Sequence, residues 1–290
     1  MNMKKMLVMF ATGLFIFSSC GKDNTNKLSQ EETLEYVNQI IEYQNSEDYL
    51  VPNTFMLESL AEESKTLKIG SKETVTGYKS TAKMIYSKEA HYIAYFVEGE
   101  QNGVRSTTEY YLYKDGRDFI VATVDDNEKE YIRDTYSMLS SDATISNFLE
   151  SLLGNYEITI KGQDLLASVP VYFESYEEKN NTLEISVDGT TSSLYDVKKF
   201  DFIKDEEGQF KYDVEAIFDK EIDANATTKN SYVENMEITN YCMKSYEMIF
   251  TSENSNSTTS SIVVSKYAEQ YSYDNFELIY PNLDEFTLAK

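Results

Sequence analysis

Ala90-His91-Tyr92-Ile93-Ala94-Tyr95-Phe96-Val97-Glu98, followed by Asn102-Gly103, residues 104–113, Asp115-Gly116 and residues 117–124, is the succession that decides the fold. The long segments are rich in Tyr, Ile, Val, Phe and Thr, which suit a pleated, half-buried surface. The two dipeptides between them are strong hairpin signals, because both central residues of a type I′ turn need positive φ. Residues 75–86 have the same character upstream, and Asp125-Asp126-Asn127 leads into a further segment at 130–133. The expectation is an antiparallel meander of about four or five strands.

Similar patterns resume downstream. Leu183, Ile185 and Val187 alternate with Glu184, Ser186 and Asp188. Phe210, Tyr212, Val214, Ala216 and Phe218 alternate with Lys211, Asp213, Glu215 and Asp219. Both patterns describe strands with one dry and one wet face. Met236, Ile238 and Cys242 share one parity, residues 252–261 read as a Ser/Asn/Thr loop, and 262–264 and 276–280 read as final strands.

Helices are expected at three places. Ser29 with Glu32 forms a capping box, ahead of Leu34, Val37, Ile40 and Ile41 on one helical face. Residues 55–64 suggest a shorter second helix. Residues 142–153 suggest a third, with Phe148, Leu149, Leu152 and Leu153 apolar and Gly154 as a C-cap. A short strand at 156–161 and a helical turn at 163–168, stopped by Pro170, follow. The implied architecture is α+β: a strongly curved antiparallel sheet, open and half-barrel-like, with helices covering one face. It occupies residues 28–290 as one domain, with two helix-plus-meander halves, 28–140 and 141–290, possible.

The N-terminus reads differently. Lys4 and Lys5 precede an uncharged, mostly apolar run at 6–17. That run is shorter than the roughly 20 apolar residues that span a bilayer, and it fits the h-region of an export signal. Phe17-Ser18-Ser19-Cys20 follows, then polar Gly21-Lys22-Asp23-Asn24-Thr25-Asn26-Lys27. This stretch resembles the lipobox of bacterial lipoproteins, with Phe17 where that family usually carries Leu. The resemblance implies a signal peptide at 1–19, a lipidated Cys20 and a polar tether over 20–27. It places the body outside the cytoplasm, held at a bacterial cell membrane or outer membrane by acyl chains. Two or more such chains make a stable anchor.

The formal net charge is -24, with 50 acidic against 26 basic side chains. Such a surface does not hold nucleic-acid phosphates, which need basic groups, and it is repelled by an anionic bilayer. With Cys20 lipidated, Cys242 has no partner for a disulfide, and core packing must stabilise the body.

No catalytic or metal constellation stands out. His91 is the single histidine, and a zinc site needs three or four ligands. A Ser-His-Asp arrangement would have to use it, without a Gly-x-Ser-x-Gly elbow. Cys242 reads as a buried thiol. The acidic turns at 125–128 and 205–208 lack the alternating pattern of a calcium loop. No paired carboxylates mark a glycosidase, and Trp is absent. The expectation is a noncatalytic protein with no metal and no cofactor. The aromatic set Tyr92, Tyr95, Phe96, Tyr110, Tyr111 and Tyr113 falls on neighbouring strands. Ordinary cross-strand packing explains it; a surface for a lipid tail, peptide or glycan is the functional reading.

In coarse layout, over residues 28–290, the chain looks like the LolA and LppX group of envelope lipid carriers. The resemblance is topological. It implies a hydrophobic cavity between sheet and helices, and an apolar or amphipathic ligand. The alternative is a surface interaction, adhesion or assembly protein with a filled core.

Overall fold

The computed structural model describes residues 26–126, 128–135, 160–186, 192–204, 208–223, 226–273 and 276–289. Cys20, the signal segment expected at 1–19 and the helix expected at 142–153 lie outside these residues. In chain order, β1 (Asn26–Lys27) and α1 (Gln30–Gln44) come first. Then follow β2 (Thr54–Ile69), β3 (Lys72–Ser87), β4 (Tyr92–Gln101), β5 (Val104–Asp115), β6 (Asp118–Asp125) and β7 (Glu128–Thr135). Helix α2 (Gln163–Ser175) leads into β8 (Tyr176–Glu177), β9 (Thr182–Ser186), β10 (Ser192–Lys204) and β11 (Phe210–Asp223). The last long strands are β12 (Ala226–Thr239), β13 (Cys242–Ser255) and β14 (Thr259–Ser272), and the short β15 (Thr287–Leu288) follows.

All fifteen strands belong to one sheet. Its order is β15-β7-β6-β5-β4-β3-β2-β14-β13-β12-β11-β10-β9-β8, with β1 beside β10. Every pairing is antiparallel except β15 on β7. The path has two ends, so the sheet is open among the described residues.

The α+β expectation is therefore corrected: among the described residues the fold is mainly β, one broad antiparallel sheet with the helices α1 and α2 packed on it. The decisive difference is β2. Thr54-Phe55-Met56-Leu57-Glu58-Ser59-Leu60-Ala61 contains good helix formers, and a helix at 55–64 follows from propensity alone. Yet β2 is paired along its whole length with β3 on one side, and from Met56 to Ile69 with β14 on the other. That tertiary pairing overrides local preference. It also welds the early and late strands into one sheet.

Other expectations hold or shift locally. Ser29 caps α1: its backbone N–H donates to Glu32 Oε2 at 2.8 Å and its hydroxyl accepts from the Glu32 N–H at 3.4 Å. Val37 and Ile40 are buried, while Leu34 and Ile41 are half-buried. Pro170 does not stop α2, which continues to Ser175. Asn102 and Gly103 both have positive φ, as a type I′ turn requires. At the next hairpin Gly116 has positive φ (64°) while Asp115 is still paired with Asp118. The turn is thus Gly116-Arg117, with Gly at the first central position. The 252–261 loop shrinks to Asn256-Ser257-Thr258, because β13 and β14 extend to meet it. Asn240 and Tyr241, both at positive φ, make a turn that puts Cys242 on the strand after Met236 and Ile238.

The two faces are covered differently. On the inner face one large core runs through Phe55, Tyr86, Leu112, Leu183, Phe210 and Met236. Val37 and Ile40 of α1 and Leu166 and Val169 of α2 join it. Ring contacts seat the helices over β10 and β11: Tyr36 on Phe210, Phe173 on Phe202 and Tyr172 on Tyr212. On the outer face a smaller core includes Ile85, Tyr92, Ala94, Tyr111, Tyr113 and Ile120. Its cover is the segment 276–289, whose Phe276, Leu278, Leu283 and Phe286 pack against it. The expected strand at 276–280 is instead this extended cover, without strand pairing.

Candidate ligand-binding site on the inner face

Side chains two residues apart on a strand share a face, so register lines up the inner-face residues. One cross-strand row reads Tyr212, Met236, Tyr246, Glu269, Ser59 and Ala82, from β11 to β3. An adjacent row carries Val214, Glu234, Met248, Tyr267 and Ala61. Two carboxylates therefore stand in rows otherwise made of aromatic, apolar and small side chains.

Glu234 is 2% exposed and surrounded by phenols. The Tyr212 and Tyr246 hydroxyls donate to Oε1 at 2.8 and 3.1 Å. The Tyr232 hydroxyl donates to Oε2 at 2.5 Å, and Tyr172 from α2 donates to the same oxygen. Tyr172 and Tyr232 also lie 3.1 Å apart, oxygen to oxygen. Two carboxylate oxygens offer about four acceptor sites, so this carboxylate is saturated. Burial pushes its carboxyl up to about 7, with the Tyr246 hydrogen bond pulling the other way. Burial holds the Tyr212, Tyr232 and Tyr246 phenols above the ordinary tyrosine range, so they remain donors.

Glu269 is half-buried and differently placed. Tyr271 donates to Oε2 at 2.9 Å and Tyr267 donates to Oε1. Beside it a hollow of about 220 Å³ opens on the inner face. Ser59 and Ala82 form its low centre, and Leu57, Met84, Tyr95 and Tyr267 rise around them with Glu269. The cause is sequence: Ser59 and Ala82 are opposite each other on β2 and β3 and are too short to fill the space between larger neighbours. The volume is smaller than the ~300–1,000 Å³ of drug-sized pockets, which are largely apolar with a few placed polar groups. It has that same mixed lining.

The structure divides the predicted aromatic set between faces. Tyr95 and Tyr110 are opposite each other on the inner face, Tyr95 in the hollow and Tyr110 against the main core. Tyr92, Phe96, Tyr111 and Tyr113 belong to the outer core beneath the C-terminal segment. The Tyr92 hydroxyl donates to the Ile279 carbonyl, and Tyr280 packs on the Tyr92 and Tyr113 rings. The division between faces is the one strand alternation predicts, but the outer part lies beneath the C-terminal segment instead of facing water.

His91 has φ 47° in the β3–β4 turn rather than opening the strand, and its N–H donates to the Lys88 carbonyl. Cys242 is buried, 3.3 Å from the Tyr49 hydroxyl, and burial pushes its thiol up. Among the described residues no three His, Cys, Asp or Glu side chains converge as a metal site, and no helix is long and apolar enough to cross a membrane.

Sequence reasoning missed both glutamates. The signal was present as acid and tyrosine two residues apart: Tyr232-Val233-Glu234 and Tyr267-Ala268-Glu269-Gln270-Tyr271. On a strand such pairs share a face, and both glutamates are bonded to those tyrosines.

No protein-family model matches the chain, and no curated protein matches it. Three solved structures are similar to it at low level. The translocator domain of the autotransporter NalP from Neisseria meningitidis is 6% identical, with 80% of this chain and 93% of that one covered and a TM-score of 0.16. A domain described as an outer membrane lipoprotein-sorting protein from Vibrio parahaemolyticus is 10% identical over 89% and 97% of the chains, with a TM-score of 0.16. The COG4313 outer membrane channel from Pseudomonas putida F1 is 7% identical over 79% and 99%, with a TM-score of 0.15. At these scores none of the three bears on what the chain does.

Proposed function

We propose that the chain is a noncatalytic, lipid-anchored protein of the bacterial cell envelope that binds an apolar or amphipathic ligand on its inner sheet face. The anchor is Cys20, and the residues from Asn26 onward form the body. The observation that carries the binding reading is the hollow between Tyr95 and Tyr267, apolar on one side and bounded by the Glu269 carboxylate on the other. A lining of this mixed kind orients an amphiphile, with few polar groups fixing one end. A surface adhesion or assembly protein with a filled inner face is disfavoured by the same hollow.

Native mass spectrometry tests the binding reading. Residues 21–290, which contain every described strand and helix, are purified without detergent and measured before and after organic extraction. Extra mass that disappears on extraction is expected. A clean mass in both states, with no uptake of added lipid, overturns the reading. The anchor is tested separately on the full chain expressed in bacteria. A mature protein beginning at Cys20 with added acyl mass is expected, and Cys20→Ala should lose it.

A further inference from the structure

We propose that the group held in the hollow is an ammonium carried on an apolar chain, so that the ligand is a cationic amphiphile. This rests on the reading of the hollow as an amphiphile site and gives that site its head-group chemistry.

Three observations carry it. Glu269 is the acid of the lining, and among the described residues neither Lys nor Arg lines the hollow with it. An anionic head group would therefore meet a carboxylate with no basic side chain of the lining to offset the repulsion. Second, the Tyr267 and Tyr271 phenols bring two donors to a carboxylate that offers about four acceptor sites. Glu269 keeps capacity for a further donor, as Glu234 with its four phenols does not. Third, the Tyr95 and Tyr267 rings stand in the same lining. Aromatic faces attract ammonium groups, and carboxylate plus ring is a favourable pairing for them. Leu57 and Met84 on the other side leave an apolar wall for the first carbons of the chain.

The test compares three probes with one tail and different heads: decylamine, 1-decanol and decanoate, each below its aggregation concentration. Binding to residues 21–290 is measured by calorimetry for the wild type and for Glu269→Gln. The protein is acidic throughout, so any amine gains some diffuse attraction. Glu269→Gln removes one acid of 50 and leaves that attraction almost unchanged. The expected result is decylamine at least tenfold tighter than decanol and decanoate. In Glu269→Gln the amine should fall to the level of decanol, with decanol binding unchanged. Retained decanol binding also shows that the variant is folded. Decanoate binding as tightly as the amine, or an amine preference that survives Glu269→Gln, overturns the inference and leaves the amphiphile reading standing. If none of the three binds, the amphiphile reading falls and takes the inference with it.

Discussion

Glu234 and Glu269 share a face of one sheet, two strands apart, and differ in almost every physical respect. Tyr246 stands between them: it faces Glu269 across the strand pair but gives its hydroxyl to Glu234. Glu234 lies deep among the aromatic residues below α2, with four phenols on its two oxygens. Glu269 lies at the helix-free hollow with two. A buried acid whose acceptor sites are filled by the protein is part of the core. An acid that keeps spare acceptor capacity beside a cavity can serve a ligand. The contrast teaches that burial alone does not separate the two carboxylates; the count of internal donors does.

The largest effect that would break this contrast is on stability. Glu234→Ala should cost about 3 kcal/mol or more, because it strands buried phenol donors and leaves a void. Urea titration of both alanine variants measures it, and an equal loss for Glu269→Ala would erase the distinction. The pH dependence comes next. Glu234 is raised from 4.5 to about 7 in the folded protein, so the folded state holds its proton more tightly than the unfolded chain does. Its contribution to stability is therefore greatest below pH 4.5 and declines as pH rises through 7. The loss is on the order of 3 kcal/mol. Comparing wild type with Glu234→Gln across this window isolates it; parallel curves would refute the shift.

A smaller effect sharpens the role of the phenols. Tyr246→Phe removes the hydrogen bond that opposes the upward shift. It should cost about 1 kcal/mol at neutral pH and move the Glu234 titration to higher pH, read by carboxyl chemical shifts. The smallest expected change is Glu269→Gln, below about 1 kcal/mol, since the half-buried amide keeps one oxygen to accept a phenol hydroxyl and its NH2 can donate to the other phenol. A loss comparable with that of Glu234→Ala would assign Glu269 to the core.

Period-two alternation made β11 readable from sequence, because one of its faces is dry and the other largely wet. The hairpins at Asn102-Gly103 and Gly116 were readable from turn chemistry. β2 was not readable, for a related reason. Phe55 and Leu57 go to the inner face while Met56 and Leu60 go to the outer, so both parities carry apolar residues and the strand period is blurred. The cover at 276–289 was hidden because it packs without pairing for most of its length. At the site, Tyr95 was found through its aromatic ring. Ser59 and Ala82 were invisible because a hollow is made by what short side chains fail to fill. Glu234 and Glu269 were passed over because an acid on a strand is ordinarily assigned to water.

The pairing of β2 with β14 has a consequence for how the protein is made. The middle of the sheet joins residues 54–69 to residues 259–272. The chain entering from its N-terminus can complete the β2–β7 meander early, but one edge of β2, the fourteen residues Met56–Ile69, then stays unpaired until β14 arrives. Closing a loop of this length is a slow kind of step in folding, and a long naked strand edge invites association with other chains meanwhile. Newly synthesised molecules are thus most vulnerable to aggregation between finishing the first meander and emerging with the last long strand. Shielding that edge, or delaying its formation, is the requirement this topology places on the cell that produces it.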